Sequence, residues 1–241
     1  MATSVGFLYP GHSAEDDYPR LESMLREVGA EVRLPLVHTD IGQDAHRVDA
    51  LLEMGSAARL AASVGELVAH DVQAVVWACT SASFVFGWEG AREQVRELSA
   101  TAGLPASSTS FAFAHAAHAI GARRVAVAAT YPDDVAERFA AFLKAADIEV
   151  VAARAAGIIT AAEVGTWRRE EVLALARAGD HPQADAVLLP DTALHTAAHV
   201  TELESALGKP VLTANQVTVW EALGVVTTPP RCPALGALFT R

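Results

Sequence analysis

The chain answers itself, half against half, and this constrains its fold more than any other feature. Short β-branched runs alternate with longer amphipathic stretches, the pattern of βα units around a parallel sheet. The predicted strands are residues 5–9, 31–36, 74–78 and 106–109, then 125–129, 149–153, 186–189 and 211–213. Helical stretches lie between them, such as 50–70, 89–101, 132–146 and 168–178. "SVGFLYP" is answered by "RVAVAATYP", and "AEVRLPL" by "IEVVAAR". "VQAVVWACTSA" is answered by "ADAVLLPDTAL", and "GLPASSTSFAFAHAAHAIG" by "GKPVLTANQVTVWEALG". Apolar runs without strict alternation, such as "AVLLP", suit strands covered on both faces. The expectation is an α/β protein of two similar Rossmann-like halves. Each carries a parallel four-stranded sheet, a pseudo-twofold axis relates them, and the ligand site lies in the cleft between them. The first half is read as residues 1–118 with the tail 223–241, and the second as residues 119–222.

Charge then narrows the ligand. The chain has 29 Asp and Glu against 18 Lys and Arg, a formal net charge of −11. Nucleic acid and anionic membrane both require basic surfaces, so neither is expected as a partner. A small molecule is expected instead, and a homo-oligomer is compatible with this reading. Two cysteines make no disulfide framework, and no apolar run approaches the length of a membrane span. A cytoplasmic location is the expectation.

The third strands of the two halves align without gaps, "AVVWACT" on "AVLLPDT". Cys79 falls on Asp191, and Thr80 on Thr192. Ligands of open parallel sheets bind just past the carboxyl ends of the strands. The repeat therefore sets a thiol and a carboxylate at equivalent points facing each other, as two-sided proton transfer requires. Thr80, Ser81 and Ser83 follow where a helix should begin, so hydroxyls and free N–H groups converge on one concavity that suits a carboxylate or an enolate. Tyr131 ends the first strand of the second half and adds a phenol. Tyr9, Pro10, Gly11 and His12 are read as occupying the same place in the first half. A thiol near pKa 8.5 is lowered at a helix N-terminus, and Cys79 is placed for that shift.

Other readings of these residues are blander. Asp191, Thr80 and Ser81 also suit helix N-caps, and Tyr131 also suits simple packing. Trp77, Phe84, Phe86 and Trp88 read as core rather than pocket. Cys232, close to prolines near the C-terminus, reads as incidental. His115 and His118 stand three apart on one helix, but no third metal ligand accompanies them, so packed or solvated histidines are expected. His12 and His195 lie near strand ends. Glu15, Asp16 and Asp17 read as a solvated helix start. No nucleotide or zinc motif is present, so no metal or cofactor is expected.

Several of these segments together resemble a known group. "CTSASFVFG", "TYPDDVAERFAAFL", "VLLPDTALHT" and the tail "PALGALF" are similar to segments of the aspartate/glutamate racemase superfamily. The similarity lies in the branch holding arylmalonate decarboxylase and maleate cis-trans isomerase, and it covers nearly the whole length. The resemblance implies a cofactor-independent enzyme acting at the carbon next to a carboxylate. It implies a substrate carboxylate held by Thr80, Ser81, Tyr131 and the Thr192 amide, an enediolate intermediate, and a cysteine acting on one face. Where the decarboxylases carry a glycine, this chain has Cys79; where they carry their cysteine, it has Asp191. The maleate isomerases have cysteine at both. The loops "YPGHS" and "GIITAAE" lack the asparagines of the maleate isomerases. The expected function is an isomerase or racemase with Cys79 as nucleophile or acid/base and Asp191 as its partner, with Pro10 and Gly11 also at the substrate. A malonate-type decarboxylase with Cys79 as proton donor is the second expectation. A non-catalytic carboxylate-binding protein is the third.

Overall fold

A computed structural model describes residues 2–11 and 13–240; His12 lies outside the described residues. The first half carries β1 (Thr3–Ser4), β2 (Gly6–Pro10), β3 (Val32–Arg33), β4 (Leu36–Thr39), β5 (Val75–Trp77) and β6 (Ala106–Ser108). The second carries β7 (Arg124–Ala129), β8 (Glu149–Ala155), β9 (Ala186–Leu189) and β10 (Val211–Thr213). The helices, in chain order, are α1 (Asp17–Glu27), α2 (Val48–Met54), α3 (Ala57–Val68), α4 (Ser81–Phe84), α5 (Gly87–Ala102), α6 (Thr109–Ile120), α7 (Asp133–Ala145), α8 (Ala161–Val164), α9 (Arg169–Gly179), α10 (Val200–Leu207) and α11 (Ala214–Val226). None is long and apolar enough to cross a membrane.

The sheets run β4-β2-β5-β6 and β8-β7-β9-β10, and every pairing is parallel. The order of the first set is reproduced by the second, strand for strand, so the repeat read from the sequence is a repeat of topology. Register agrees as well. Gly6 pairs with Val75 as Ala126 pairs with Val187, and Ala106 pairs with Val75 as Val211 pairs with Val187. The equivalent helices α6 and α11 pack together, with Thr109 Oγ1 and Thr218 Oγ1 at 2.7 Å. That contact is what a twofold relation between the halves requires.

Two expectations change. The stretch 50–70 is two helices, broken at Gly55 and Ser56. A β-carbon on Gly55 would stand 2.0 Å from the Ala82 carbonyl oxygen, so only glycine lets α2 end against the turn that follows β5. The strand expected at 31–36 splits at Leu34–Pro35, and its productive part lies later, where Leu36–Thr39 pairs with Phe7–Pro10. Proline has no N–H to give a ladder.

The halves are pinned by buried polar contacts. Asp17 does begin a helix, but it is buried, not solvated, at 2% exposure. Its Oδ2 accepts hydrogen bonds from the Thr196 N–H (2.9 Å), the Ala197 N–H (3.2 Å) and Asn215 Nδ2 (3.0 Å). Burial pushes its carboxyl pKa up, against these donors. Asp17→Ala strands the buried Thr196 and Ala197 N–H groups and takes one of three acceptors from Asn215 Nδ2, so we expect a loss of about 3 kcal/mol. In thermal melting this is a Tm drop of roughly 6–12 °C, while an unchanged Tm would mean the pin carries no load. The C-terminal tail packs on α1 and α11, through Cys232 Sγ on the Met24 carbonyl (3.7 Å) and Gln216 Nε2 on the Leu235 carbonyl (2.6 Å).

Candidate active site

Past the ends of β5 and β9 the chain makes two equivalent turns that face one small cavity. Cys79 and Asp191 both line it, with Pro10, Ser13, Ser81, Thr192 and Ala193. Cys79 is 4% exposed and Asp191 4%. The free volume is about 20 Å³, room for about one water. Any organic acid therefore needs the cleft to open.

The turns are held alike. The Thr80 carbonyl accepts from Ser110 Oγ at 2.8 Å, and the Thr192 carbonyl from Asn215 Nδ2 at 3.1 Å. Ser110 and Asn215 are equivalent positions of the repeat, each two residues past its fourth strand. Tyr9 Oη also donates to the Thr192 carbonyl, at 2.8 Å. Behind the first turn, the Ala82 carbonyl accepts from Trp77 Nε1 (3.3 Å) and Gln94 Nε2 (2.9 Å). Gln94 Nε2 also donates to the Gly55 carbonyl at 2.7 Å, tying α2 to the same turn. Sequence reasoning missed Ser110, Asn215, Tyr9 and Gln94 as supports. The repeat carried the signal for the first two, since their positions match once the fourth strands are aligned.

Cys79 Sγ sits 3.8 Å from Ser81 Oγ, and the backbone N–H groups of Ser81 and Ala82 point toward it. These donors favour a thiolate, as the sequence led us to expect. Burial outweighs them, and the negative charge of Asp191 adds to the effect, so the thiol pKa is pushed up to about 12. The expected lowering is thus reversed, because desolvation of a charged sulfur exceeds what two amides return. Asp191 Oδ1 accepts the Ala193 N–H at 2.9 Å, and Oδ2 accepts the Thr130 hydroxyl. It caps its turn and faces the cavity at once.

The remaining predicted residues divide. Pro10, Ser81 and Thr192 line the cavity; Gly11 does not. Gly11 adopts φ 61°, and Ile41 occupies the space where a side chain would stand. Thr80 and Tyr131 are buried behind the wall at 1% exposure each. The Tyr131 hydroxyl gives its proton to the Pro190 carbonyl, and the Thr80 hydroxyl has no hydrogen-bond partner among the described residues. Tyr9 is not the counterpart of Tyr131. Pairing sets Tyr9 level with Ala129, so Tyr131 lies two residues farther on, past the strand end. Trp77 and Phe84 are core, and neither Phe86 nor Trp88 lines the cavity. His195 bridges Asp16 (2.9 Å) and the Gly165 carbonyl (3.1 Å), outside the cavity wall. His115 pairs with Glu221 and His118 with the Ala146 carbonyl. Among the described residues no group of three or more His, Cys, Asp or Glu could hold a metal.

The cavity is roofed by contacts between the halves that the sequence did not announce. In the loop after β4, Asp44 accepts the N–H groups of Ala161 (2.8 Å) and Ala162 (3.0 Å). The His46 N–H donates to the Ile159 carbonyl at 2.8 Å. Asp44, His46 and Ala161 also line the cavity, so these contacts join the two halves beside it.

Known proteins share this architecture. A maleate isomerase from Pseudomonas putida S16, solved with maleate, superposes with a TM-score of 0.90, covering 100% of this chain and 98% of that one at 22% identity. A maleate cis-trans isomerase from Nocardia farcinica, a cysteine-to-serine mutant with a covalently bound succinylcysteine intermediate, gives 0.86, covering 100% and 99% at 25% identity. An arylmalonate decarboxylase from Bordetella bronchiseptica is 33% identical over 141 residues. That stretch is 57% of this chain and 58% of the relative, so the sequence match spans less than two thirds of its length. The family model for arylmalonate decarboxylase matches residues 54–239, which include both turns of the cavity and the α11 side chain that holds the second. The chain belongs to the arylmalonate decarboxylase family.

Proposed function

We propose that the protein is a cofactor-independent isomerase or racemase acting at the carbon next to a carboxylate. The observation that carries this reading is the enclosure of Cys79 and Asp191, from equivalent turns of the two halves, on one cavity. The substrate carboxylate docks against Ser81 and the N–H groups of the two turns, with Thr80 and Tyr131 behind them. Asp191 removes the proton from the neighbouring carbon, and the electrons move into an enediolate that these donors stabilise. Cys79 gives its thiol proton to the opposite face. Its raised pKa keeps it protonated at neutral pH, the state a donor needs. For an unsaturated acid the thiol adds instead. An Sγ–C bond forms, the thiol proton passes to Asp191, and the double-bond electrons become the enediolate. Rotation about the C–C bond and expulsion of the thiolate then restore the double bond. The succinylcysteine adduct of the Nocardia relative supports such a path.

One observation favours a second reading. A thiol held protonated by a pKa of about 12 also suits a malonate-type decarboxylase, in which loss of CO₂ leaves the enediolate and Cys79 only protonates it. Proton NMR in deuterated buffer separates the two, with maleate, phenylmalonate, methylmalonate, aspartate and glutamate as substrates and Cys79→Ala as control. Cis-trans conversion, or deuterium entry at the α-carbon with racemisation, bears out the isomerase. Loss of CO₂ with one deuterium incorporated bears out the decarboxylase. No change beyond the control with any of them counts against both for these acids and favours a carboxylate-binding protein.

A further inference from the structure

The two halves give Cys79 and Asp191 their hydroxyl neighbours from different places. Strand pairing sets Pro10 level with Thr130, and the aligned turns set Ser81 level with Ala193. In the first half the hydroxyl comes from the turn, Ser81 Oγ at 3.8 Å from Cys79 Sγ, and the strand offers only Pro10. In the second half the two are exchanged. The turn offers Ala193, which has no hydroxyl, and Thr130, just past β7, donates its hydroxyl to Asp191 Oδ2. Thr130 is fully buried and firmly placed. The Ile158 N–H donates to its carbonyl at 2.8 Å, and the Ala156 and Gly157 N–H groups hold the carbonyls of Ala129 and Tyr131 on either side, at 2.9 and 3.0 Å. Asp191 depends on what this framework presents. A carboxylate at 4% exposure has lost most of its water and needs donors. Among the described residues no lysine or arginine lines the cavity, and the other titratable groups on its wall, Asp44, His46 and Cys79, make no hydrogen bond to Asp191. The Ala193 N–H serves Oδ1, so Thr130 is the only side chain among the described residues that bonds the carboxylate.

We propose that Thr130 is a positioning residue for the reaction, whose hydroxyl keeps the Asp191 carboxylate charged and turned into the cavity it shares with Cys79. The inference rests on the reading of Asp191 as a base. It accounts for a carboxylate serving in one half where a thiol serves in the other, with no lysine or arginine beside it. A base must be an anion before it takes the α-proton. Each Asp191 oxygen accepts one hydrogen bond and keeps a further lone pair for that proton. Without the Thr130 hydroxyl, Oδ2 would be a buried anionic oxygen with no donor. The favoured state would then be a neutral carboxyl, or one swung away from the cavity.

The test compares Thr130→Val, which deletes the hydroxyl at nearly constant shape, with Thr130→Ser, which keeps it. Kinetics use the full chain and an acid turned over in the NMR assay above. A hydrogen bond to a charged group corresponds to about 10- to 100-fold, so Thr130→Val should lower kcat by that factor with KM nearly unchanged. Thr130→Ser should restore most of the loss. Added to Asp191→Asn, Thr130→Val should lower kcat no further, since no carboxylate remains to be held. Equal losses in both backgrounds, or a serine variant as poor as the valine one, would make Thr130 a packing residue and overturn the proposal. A second readout needs no substrate. The Asp191 charge helps to push the Cys79 thiol pKa up. Iodoacetamide should therefore label Cys79 faster in Thr130→Val than in wild type, toward the rate in Asp191→Asn, and the double variant should label no faster than Asp191→Asn alone. A Thr130→Val rate equal to wild type would overturn the proposal. So would a double variant faster than Asp191→Asn, which would mean that the hydroxyl only seals the cleft. If no acid is turned over, or Asp191→Asn keeps the wild-type kcat, the base reading fails, and the labelling alone decides whether Thr130 holds the charge.

Discussion

Cys79→Ala should abolish turnover of any substrate the protein processes, by at least about 10³-fold, with little change in fold. The side chain is small, and alanine leaves only a sulfur-sized gap in a wall that already borders a cavity. The intact thiol should also be slow to alkylate. At a pKa of about 12 the thiolate is about one part in 10⁵ at pH 7, against a few per cent for a free thiol near pKa 8.5. Burial at 4% exposure slows the reagent further. The sign of the pH dependence follows. A raised pKa keeps the neutral form dominant, so iodoacetamide labelling should rise about tenfold per pH unit up to pH 9.5 without a plateau. Labelling that is fast at pH 7 and levels off near pH 8 would show instead that the cleft opens widely enough to hydrate the sulfur. Slow labelling is therefore no argument against catalysis here. The closed site stores the thiol as an acid.

The repeat was legible because strand order and register depend on patterns that survive when identities diverge. "AVVWACT" and "AVLLPDT" still align without a gap, and that one alignment located both sides of the cavity. The helix break at Gly55 was not legible, because its cause is the Ala82 carbonyl, 27 residues away in sequence and in contact in space. Asp17 was misread for the same reason. An acidic run at a helix start looks solvated until Asn215 and the Thr196 and Ala197 amides arrive from the other half. The matching of Tyr9 with Tyr131 failed by two residues, since the motif "YP" was aligned in place of the strand before it. His46 carried no local signal at all. A lone histidine in a loop acquires meaning only when Ile158 fixes one nitrogen and the cavity receives the ring. The Cys79 shift shows the same division in energy. Its donors, Ser81 and Ala82, are neighbours in sequence and could be read; the desolvation that outweighs them comes from the whole closed cleft.

Asp191→Asn should divide the two chemical readings. The substitution is nearly isosteric. The amide oxygen can still accept the Ala193 N–H, and the amide N–H can donate to Thr130 Oγ1 in place of accepting from it, so the turn should keep its shape. We expect a Tm within about 3 °C of wild type, since no buried group loses its partner. What the variant removes is a carboxylate able to take a proton. An isomerase or racemase that draws the α-proton onto Asp191 should lose about 10²- to 10⁴-fold in kcat. A decarboxylase behaves otherwise. There the enediolate forms by loss of CO₂, Asp191 has no proton to remove, and its negative charge faces a developing anion across a water-poor cavity. Removing that charge should leave decarboxylation unchanged or faster. Cys79→Ala silences both reactions, so it cannot separate them. The ratio of Asp191→Asn to wild-type kcat can: below about 0.01 the carboxylate is a base, and at or above 1 it is a cap that the chemistry must work against.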